Sequence, residues 1–340
     1  MDQEKLLQVP AEARIVEIDN AGRSVTFANG NIVIAGDEGV IDRIPILEIA
    51  GMVAAQSGLS WSGPALGALS ERCVGIVVCD ANFGSKMMAW PISGQRWPRR
   101  IRAQMGLDAP LGRNLRRMLL TARDEQREAA VEAMGKGNAL KALRKASKPA
   151  YMVGRMGRDR KQSELEEQIR RFYWSWLAGP GFRRNPARPD GNAIVNFAQT
   201  MLRIEATRAV HKAGLHPAVG LGGAREKGGL IDDLMLPYRP VADLAAALLV
   251  ATGRDKLDAA AREALTRLFT APLRGARGLV QIRMGLEELA ESLARCFETG
   301  EARLGLNLPS VQDPSVLYDR MTSARNRPSA STDEGISGWG

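Results

Sequence analysis

The sequence predicts an α+β protein, an N-terminal β-sandwich-like domain followed by an all-α C-terminal domain. Three observations carry that reading. Short apolar segments separated by turn signals occupy the first 94 residues, the pattern of strands with a buried face. After Pro98, long runs of helix formers take over. The charge changes at the same place. Residues 96–161 hold 18 Lys/Arg and 6 Asp/Glu, a net charge of +12, while the other 274 residues together carry −3. At 340 residues the chain exceeds one average domain. We divide it into a β-rich domain (1–94), an α-helical domain (95–309) and a polar tail expected to be disordered (310–340).

The elements follow in order. Ala13 to Ile18 alternates and ends on the turn signal Asp19-Asn20-Ala21-Gly22. Ser24–Phe27 and Ile32–Ile34 flank Asn29-Gly30, a two-residue hairpin signal because both positions tolerate positive φ. Another strand is expected near Val40–Ile44. Pro64–Arg72 reads as a helix with Ser62 as its N-cap. Val74–Cys79 is an apolar run of buried-strand type, and Met87–Ile92 supplies one more strand. In the second half, Arg116–Met134 is a helix that Gly135 stops. Glu164–Trp176 sets Leu165, Ile169, Phe172 and Trp176 on one face. Asn192–Ala213 is a long helix closed by Gly214, and further helices fit Pro240–Thr252, Leu257–Phe269 and Leu286–Phe297.

Several classes fall away. Cys73, Cys79 and Cys296 are odd in number, and the Cys73-x5-Cys79 spacing is neither a zinc nor a redox motif. A reducing compartment without structural disulfides is expected. The opening MDQEKLLQVP is unlike a signal peptide, and the longest apolar run, Leu244 to Thr252, is too short for a bilayer. With His211 and His216 alone, a His-rich metal site is excluded. The expectation is a cytoplasmic protein whose net charge of +9 suits an acidic partner such as nucleic acid.

The candidate chemistry begins with the basic segment. Arg99, Arg100, Arg102, Arg113, Arg116, Arg117 and Arg123 are candidate DNA contacts, with Arg116, Arg123 and Arg127 near one helix face. The bland alternative is a solvated face paired locally with Asp124, Glu125 and Glu128. Trp90 and Trp97 suit base stacking or, more simply, core packing. The stretch Gly220–Gly229 does not fit a nucleotide-binding Walker motif and reads as a surface loop. Asp232-Asp233 suits a helix start, and paired acids also suit Mg²⁺ or Mn²⁺. Glu166 by itself reads as a solvated charge, and both histidines as structural.

Together the segments form a recognisable set. Leu165-Glu166-Glu167-Gln168 with Tyr173-Trp174 comes first, then Gly179-Pro180-Gly181-Phe182-Arg183-Arg184 and Asn192–Phe197. Ala213–Gly220 and Asp232-Asp233-Leu234-Met235-Leu236-Pro237-Tyr238-Arg239-Pro240 follow, and Val77–Asp80 and Arg102-Ala103-Gln104 fit as well. The chain resembles, over roughly residues 11–309, the CRISPR adaptation integrase family, the universal CRISPR-associated endonuclease of spacer acquisition. Its phrasing is closest to the type II branch. The resemblance implies a β-sandwich domain, a helical domain, and a homodimer that works with a smaller CRISPR-associated adaptation partner. It implies that double-stranded DNA (protospacer-like fragments) is spliced into the CRISPR array, a 3′-hydroxyl attacking a phosphodiester with Mg²⁺ or Mn²⁺. It also adds Arg183 and Arg184 to the candidate DNA contacts.

The family's metal site uses a Glu, a His and a second acid, and only the first is retained. The Glu falls on Glu166, whereas the His position falls on Gly223 and the second acid on Leu236. Neither replacement supplies a ligand. Losing even a group that only orients a ligand costs about 10–100-fold in affinity or activity. The expected metal and catalytic set shrinks to Glu166 with Asp233, and with Asp232 as a further metal donor. Three readings stand: a DNA-binding family member with lost or weakened strand transfer; an active enzyme rearranged around Glu166, Asp232 or Asp233, with Glu205 or Glu226; and a non-catalytic structural dimer partner.

Overall fold

The computed structural model describes residues 14–18, 21–55, 58–72, 74–80, 85–89, 97–135, 172–222, 229–275 and 278–323. The first half contains two four-stranded sheets. One has the order β1 (Arg14–Ile18), β5 (Ile49–Ala54), β7 (Gly75–Cys79), β8 (Ser85–Ala89), with β8 alone antiparallel to its neighbour. The other has the order β4 (Gly39–Pro45), β3 (Asn31–Gly36), β2 (Ser24–Ala28), β6 (Ser60–Trp61). The β2–β3 register pairs Ala28 with Asn31, so Asn29 (φ 50°) and Gly30 (φ 77°) form the two-residue turn that the sequence predicts.

Alternation along the first sheet explains how it serves two cores. Val16, Met52 and Ile76 face the second sheet, where they meet Val25, Ile32 and Ile44. Their neighbours Ile15, Val53 and Val77 face the helices. All six residues of β5 are therefore buried, as expected for a strand covered on both faces. α1 (Gly63–Glu71) closes the sandwich with Ala65 and Leu69. Its N-cap is Ser62, whose Oγ accepts from the Ala65 amide at 3.2 Å.

The helical half is built around α5 (Gly191–Lys212), preceded by α2 (Trp97–Met105), α3 (Ala109–Ala133) and α4 (172–178). Of the 22 residues of α5, 18 are buried, so it is a central helix packed on all sides. It presses on the sheet so closely that a Cβ at Gly51 would lie 2.9 Å from Ile204 Cγ2. Around it lie α6 (Leu230–Met235), α7 (Arg239–Ala251), α8 (Ala259–Leu268) and α9 (Ile282–Thr299). Among the described residues no helix is long and apolar enough to cross a membrane.

Some expectations change. In α4 the buried residues are Tyr173, Trp174 and Leu177, while Phe172 is 54% exposed and stacks on Trp176 at 6.0 Å; residues 164–171 lie outside those described. A short hairpin, β9 (Leu273–Gly275) and β10 (Gly278–Val280), stands where no element was expected. The region assigned to a tail begins with a helix, α10 (Pro314–Thr322). Asp313 caps it, and Leu317 and Met321, one turn apart, bury against the helical core; residues 324–340 lie outside those described.

Two candidate site residues turn out to hold the fold. Glu205 is 1% exposed and accepts from Arg208 Nε at 3.0 Å and Arg283 Nη2 at 2.7 Å. Arg208 continues to Glu287, which also receives Lys212 Nζ at 2.6 Å. Glu205 thus ties α5 to α9, its buried carboxylate engaged by two guanidiniums. Arg100, expected on DNA, is 7% exposed. Its guanidinium donates to the Ala213 carbonyl at 2.7 Å and to both oxygens of Glu291 at 2.8 and 2.6 Å. It fastens α2 to the end of α5 because that carbonyl has no helical partner.

Candidate nucleic-acid interface

The positions that the family resemblance assigns to the metal come first. Glu166, Gly223 and Glu226 lie outside the described residues. Leu236 follows α6 in helical conformation and packs against the helical core as hydrocarbon. Asp232 Oδ1 accepts from Arg203 Nη2 at 2.7 Å and from Arg239 Nη2 at 3.0 Å. Asp233 is 6% exposed; its Oδ2 accepts from the Leu221 amide at 2.7 Å, and Arg116 Nε lies 3.9 Å from Oδ1. Burial pushes the Asp233 carboxyl up, against the Leu221 amide and Arg116, which pull it down. A Cβ at Gly112 of α3 would lie 2.8 Å from the Leu221 carbonyl oxygen. Asp233 is therefore the pin of a tight junction between α3, the 221 loop and α6.

The described members of this set do not by themselves make a divalent-cation site. One carboxylate is shared by two guanidiniums, the other is spent on an amide, and position 236 is apolar. Among the described residues no three His, Cys, Asp or Glu side chains converge as metal ligands.

What converges instead is positive charge. A cavity of about 370 Å³ opens between the β7–β8 edge and the helices, lined by Asp80, Lys86, Arg184, Pro186, Asn196, Gln199, Thr200, Arg203, Met235 and Arg239. Asn196, Gln199, Thr200 and Arg203 are spaced so that a single face of α5 supplies one wall. Arg184 reaches in from the loop before α5, donating to Asn196 Oδ1 at 2.7 Å and Asn192 Oδ1 at 3.2 Å, with its guanidinium 5.9 Å over the Trp174 ring. Burial pulls the Arg184 pKa down, and Asp243 opposes that pull. Lys86 Nζ lies 3.0 Å from Asp80 at the mouth. Behind the wall, Gln199 donates to Asp243 at 3.1 Å, and burial pushes that carboxyl up.

The other predicted cations divide into two groups. Arg99 (81% exposed), Arg102, Arg113, Arg117 and Arg183 are exposed. Arg116, Arg123 and Arg127 are partly buried: the first faces Asp233, and the other two lie 2.8 and 3.5 Å from Asp124 Oδ1. The face that their spacing picked out is the one that turns toward the core, because α3 packs on α7 and α6. Lys86, Arg203 and Arg239 are the site residues the sequence reading missed. Two signals were available: Arg203 follows Asn196 by seven residues on the predicted helix, and Arg239 stands in a motif already quoted.

The two histidines sit in different settings. Burial, with His216 nearby, pushes the His211 pKa down to about 3, so it stays neutral. The His216 backbone is held by Gln104, whose Oε1 accepts its amide at 2.8 Å and whose Nε2 donates to its carbonyl at 2.9 Å.

Comparison with known proteins converges on one family. The family model described as CRISPR associated protein Cas1 matches residues 16–268. The chain is 26% identical over 251 residues to a CRISPR-associated endonuclease Cas1 of Neisseria meningitidis serogroup C (strain 8013), covering 72% of this chain and 78% of that protein. Among solved structures, a casposase bound to integration product is similar with a TM-score of 0.69 at 15% identity, over 91% of this chain and 99% of that one. A Cas6-RT-Cas1–Cas2 complex is similar with a TM-score of 0.67 at 15% identity; 87% of this chain is covered, but it spans only 36% of that longer chain.

Proposed function

The chain belongs to the CRISPR-associated Cas1 family, and from that premise we propose that it serves CRISPR adaptation as a homodimer that grips double-stranded DNA, with its own metal-dependent strand transfer lost or severely weakened. The observation that carries this reading is the state of the inherited metal positions. Leu236 stands where the family has an acid, and the two nearby carboxylates are committed, Asp232 to Arg203 and Arg239 and Asp233 to Leu221 and Arg116. Family chemistry uses Mg²⁺ or Mn²⁺, and no step through the ion is derived for this donor set.

DNA grip rests on the exposed cations of the basic segment, Arg99, Arg102, Arg113 and Arg117, together with Arg183. In this reading residues 1–94 form the dimerisation domain and 95–309 the DNA-binding domain. The partners are protospacer-like fragments, the CRISPR array and a smaller adaptation protein, in the cytoplasm. The test has two arms. Phosphate neutralisation predicts that log K falls linearly with log salt, about 0.9 per phosphate contact; a salt-insensitive binding constant would favour a protein-only scaffold. Nuclease and integration assays with Mn²⁺ test the second arm, and activity that depends on Glu166 would favour a rearranged site.

A further inference from the structure

We propose that the free edge of the β9–β10 hairpin is a strand-addition site, which takes an extended segment of a partner protein carrying apolar and acidic side chains. The site uses none of the cations that carry the DNA-binding reading, and neither proposal depends on the other. The hairpin has one open side. β9 pairs with β10 along Leu273–Gly275 and Gly278–Val280. On its other side β9 meets the strap that follows α9: Gly275 bridges Pro309, and the Ser310 amide donates to the Arg274 carbonyl at 2.6 Å. A strand residue points its N–H and C=O the same way, and opposed antiparallel residues alternate between hydrogen-bonded and non-bonded pairs. Because Arg274 turns its carbonyl to Ser310, the Arg274–Leu279 pair is a non-bonded one. Leu279 therefore turns its own N–H and C=O outward, away from β9. Its side chain is 71% exposed, and among the described residues no large apolar side chain is more so.

Edge strands are ordinarily blunted by charges, proline or a bulge. β4, an edge of the second sheet, carries Asp42 and Arg43 and a register shift that leaves Ile41 unpaired. β10 reads Gly-Leu-Val, and its shortness is its one protection of this kind. The surroundings set what fits. Directly opposed residues share a face, so Arg274 stands beside Leu279; it is exposed and has no ion pair among the described residues. Met284, in the first turn of α9, is 51% exposed. No acidic residue occupies that turn, which leaves the positive end of the helix dipole without a carboxylate of its own. The other charges of this end of α9 are engaged: Arg283 with Glu205, Glu287 with Arg208 and Lys212, and Glu288 with Asn307 Nδ2 at 3.3 Å. An incoming strand with an apolar residue opposite Leu279 and a glutamate two residues away, on the same face, meets both features. The edge is about 10 Å long at roughly 3.4 Å per residue, a length for a peptide. Two copies of this chain pairing through it would bury far less than the ~1,000 Å² of a stable interface, which points to a different protein as the occupant.

The experiment selects phage-displayed seven-residue peptides on the full wild-type chain and measures synthetic copies of the enriched ones by fluorescence anisotropy. The expected peptides alternate apolar residues with others and include an acid. Leu279→Asp and Arg274→Glu each weaken them about tenfold or more, the scale for loss of one charge-assisted hydrogen bond. Exchange of the peptide's acid for lysine restores binding to Arg274→Glu. N-methylation along the peptide weakens binding at every second residue, a period that an added strand gives and a helical contact does not. Thermal unfolding checks each variant, and the charge exchange at the exposed Arg274 tests the site even where Leu279→Asp disturbs the hairpin. Peptides that bind both variants as tightly as wild type would overturn the proposal. So would an N-methyl scan without the two-residue period, or a selection that enriches no peptide.

Discussion

Arg100→Met separates a structural arginine from a DNA-contacting one. Methionine keeps most of the methylene stem and removes every donor. The Arg100 side chain is 8% exposed, whereas its partner Glu291 is 39% exposed and rehydrates when released. The ion pair itself therefore contributes only about 1 kcal/mol. The Ala213 carbonyl, 2.7 Å from Nη1 at the end of α5, is left without its donor, which costs about 1–3 kcal/mol. The sum is about 2–4 kcal/mol, a fall in Tm of about 4–16 °C for a unit of this size. Thermal unfolding reads that term. Anisotropy against a labelled duplex over a salt series reads the other: Arg100→Met leaves the slope unchanged, while Arg113→Gln and Arg117→Gln, at exposed positions of α3, each lower it by about 0.9. A stable Arg100→Met protein with a reduced salt slope would refute the assignment of Arg100 to the fold.

Other expectations concern the core and the lost ligands. Burial pushes the Glu205 carboxyl up, but Arg283 and Arg208 pull it further down, below the ordinary glutamate value of 4.5. Its contribution to stability is therefore present above that value and is lost as pH falls through the depressed one. Glu205→Gln should cost about 3–5 kcal/mol at neutral pH and flatten the acid limb of a Tm-against-pH curve; an unchanged limb would contradict the buried pair. Gly51→Ala forces a methyl to 2.9 Å from Ile204 and should cost about 1–3 kcal/mol in urea unfolding, whereas a neutral result would mean that the sheet and α5 are less tightly seated. The pair Gly223→His and Leu236→Glu supplies the His and the acid that, in the proposed reading, accompany Glu166. It should gain Mn²⁺-dependent nuclease activity that Leu236→Glu alone does not, and equal activity of the single and double variants would count against the ligand assignment.

Legibility followed the length scale of the signal. Asn29-Gly30, Ser62 before Pro64 and Gly214 after α5 are local, and each was read from a few neighbouring residues. β5 escaped because Ile49–Ala54 is covered on both faces and contains Gly51, so it shows no alternation. α10 was hidden in a polar stretch, where only Leu317 and Met321 report a buried face. The same limit governs the site. Arg184 and Arg239 came with motifs, but Lys86 and Arg203 did not, and the four meet only through the fold. The phase of Arg116, Arg123 and Arg127 on α3 was legible, but its direction was not, because that depends on α6 and α7 packing against it. The resemblance alone assigns Gly223 and Leu236 to the family's ligand positions. The engagement of Asp232 and Asp233 by Arg203, Arg239 and Leu221 was not visible from sequence, since backbone and distant side chains supply those partners.

The central claim, grip without strand transfer, is tested most directly by one integration measurement. Labelled duplex fragments with free 3′-hydroxyls are incubated with array DNA, Mn²⁺ and the wild-type protein, alongside Glu166→Ala, at a protein concentration where anisotropy shows the fragments bound. The account predicts bound DNA and no joined product above the Glu166→Ala background. Robust joined product that disappears in Glu166→Ala would contradict it.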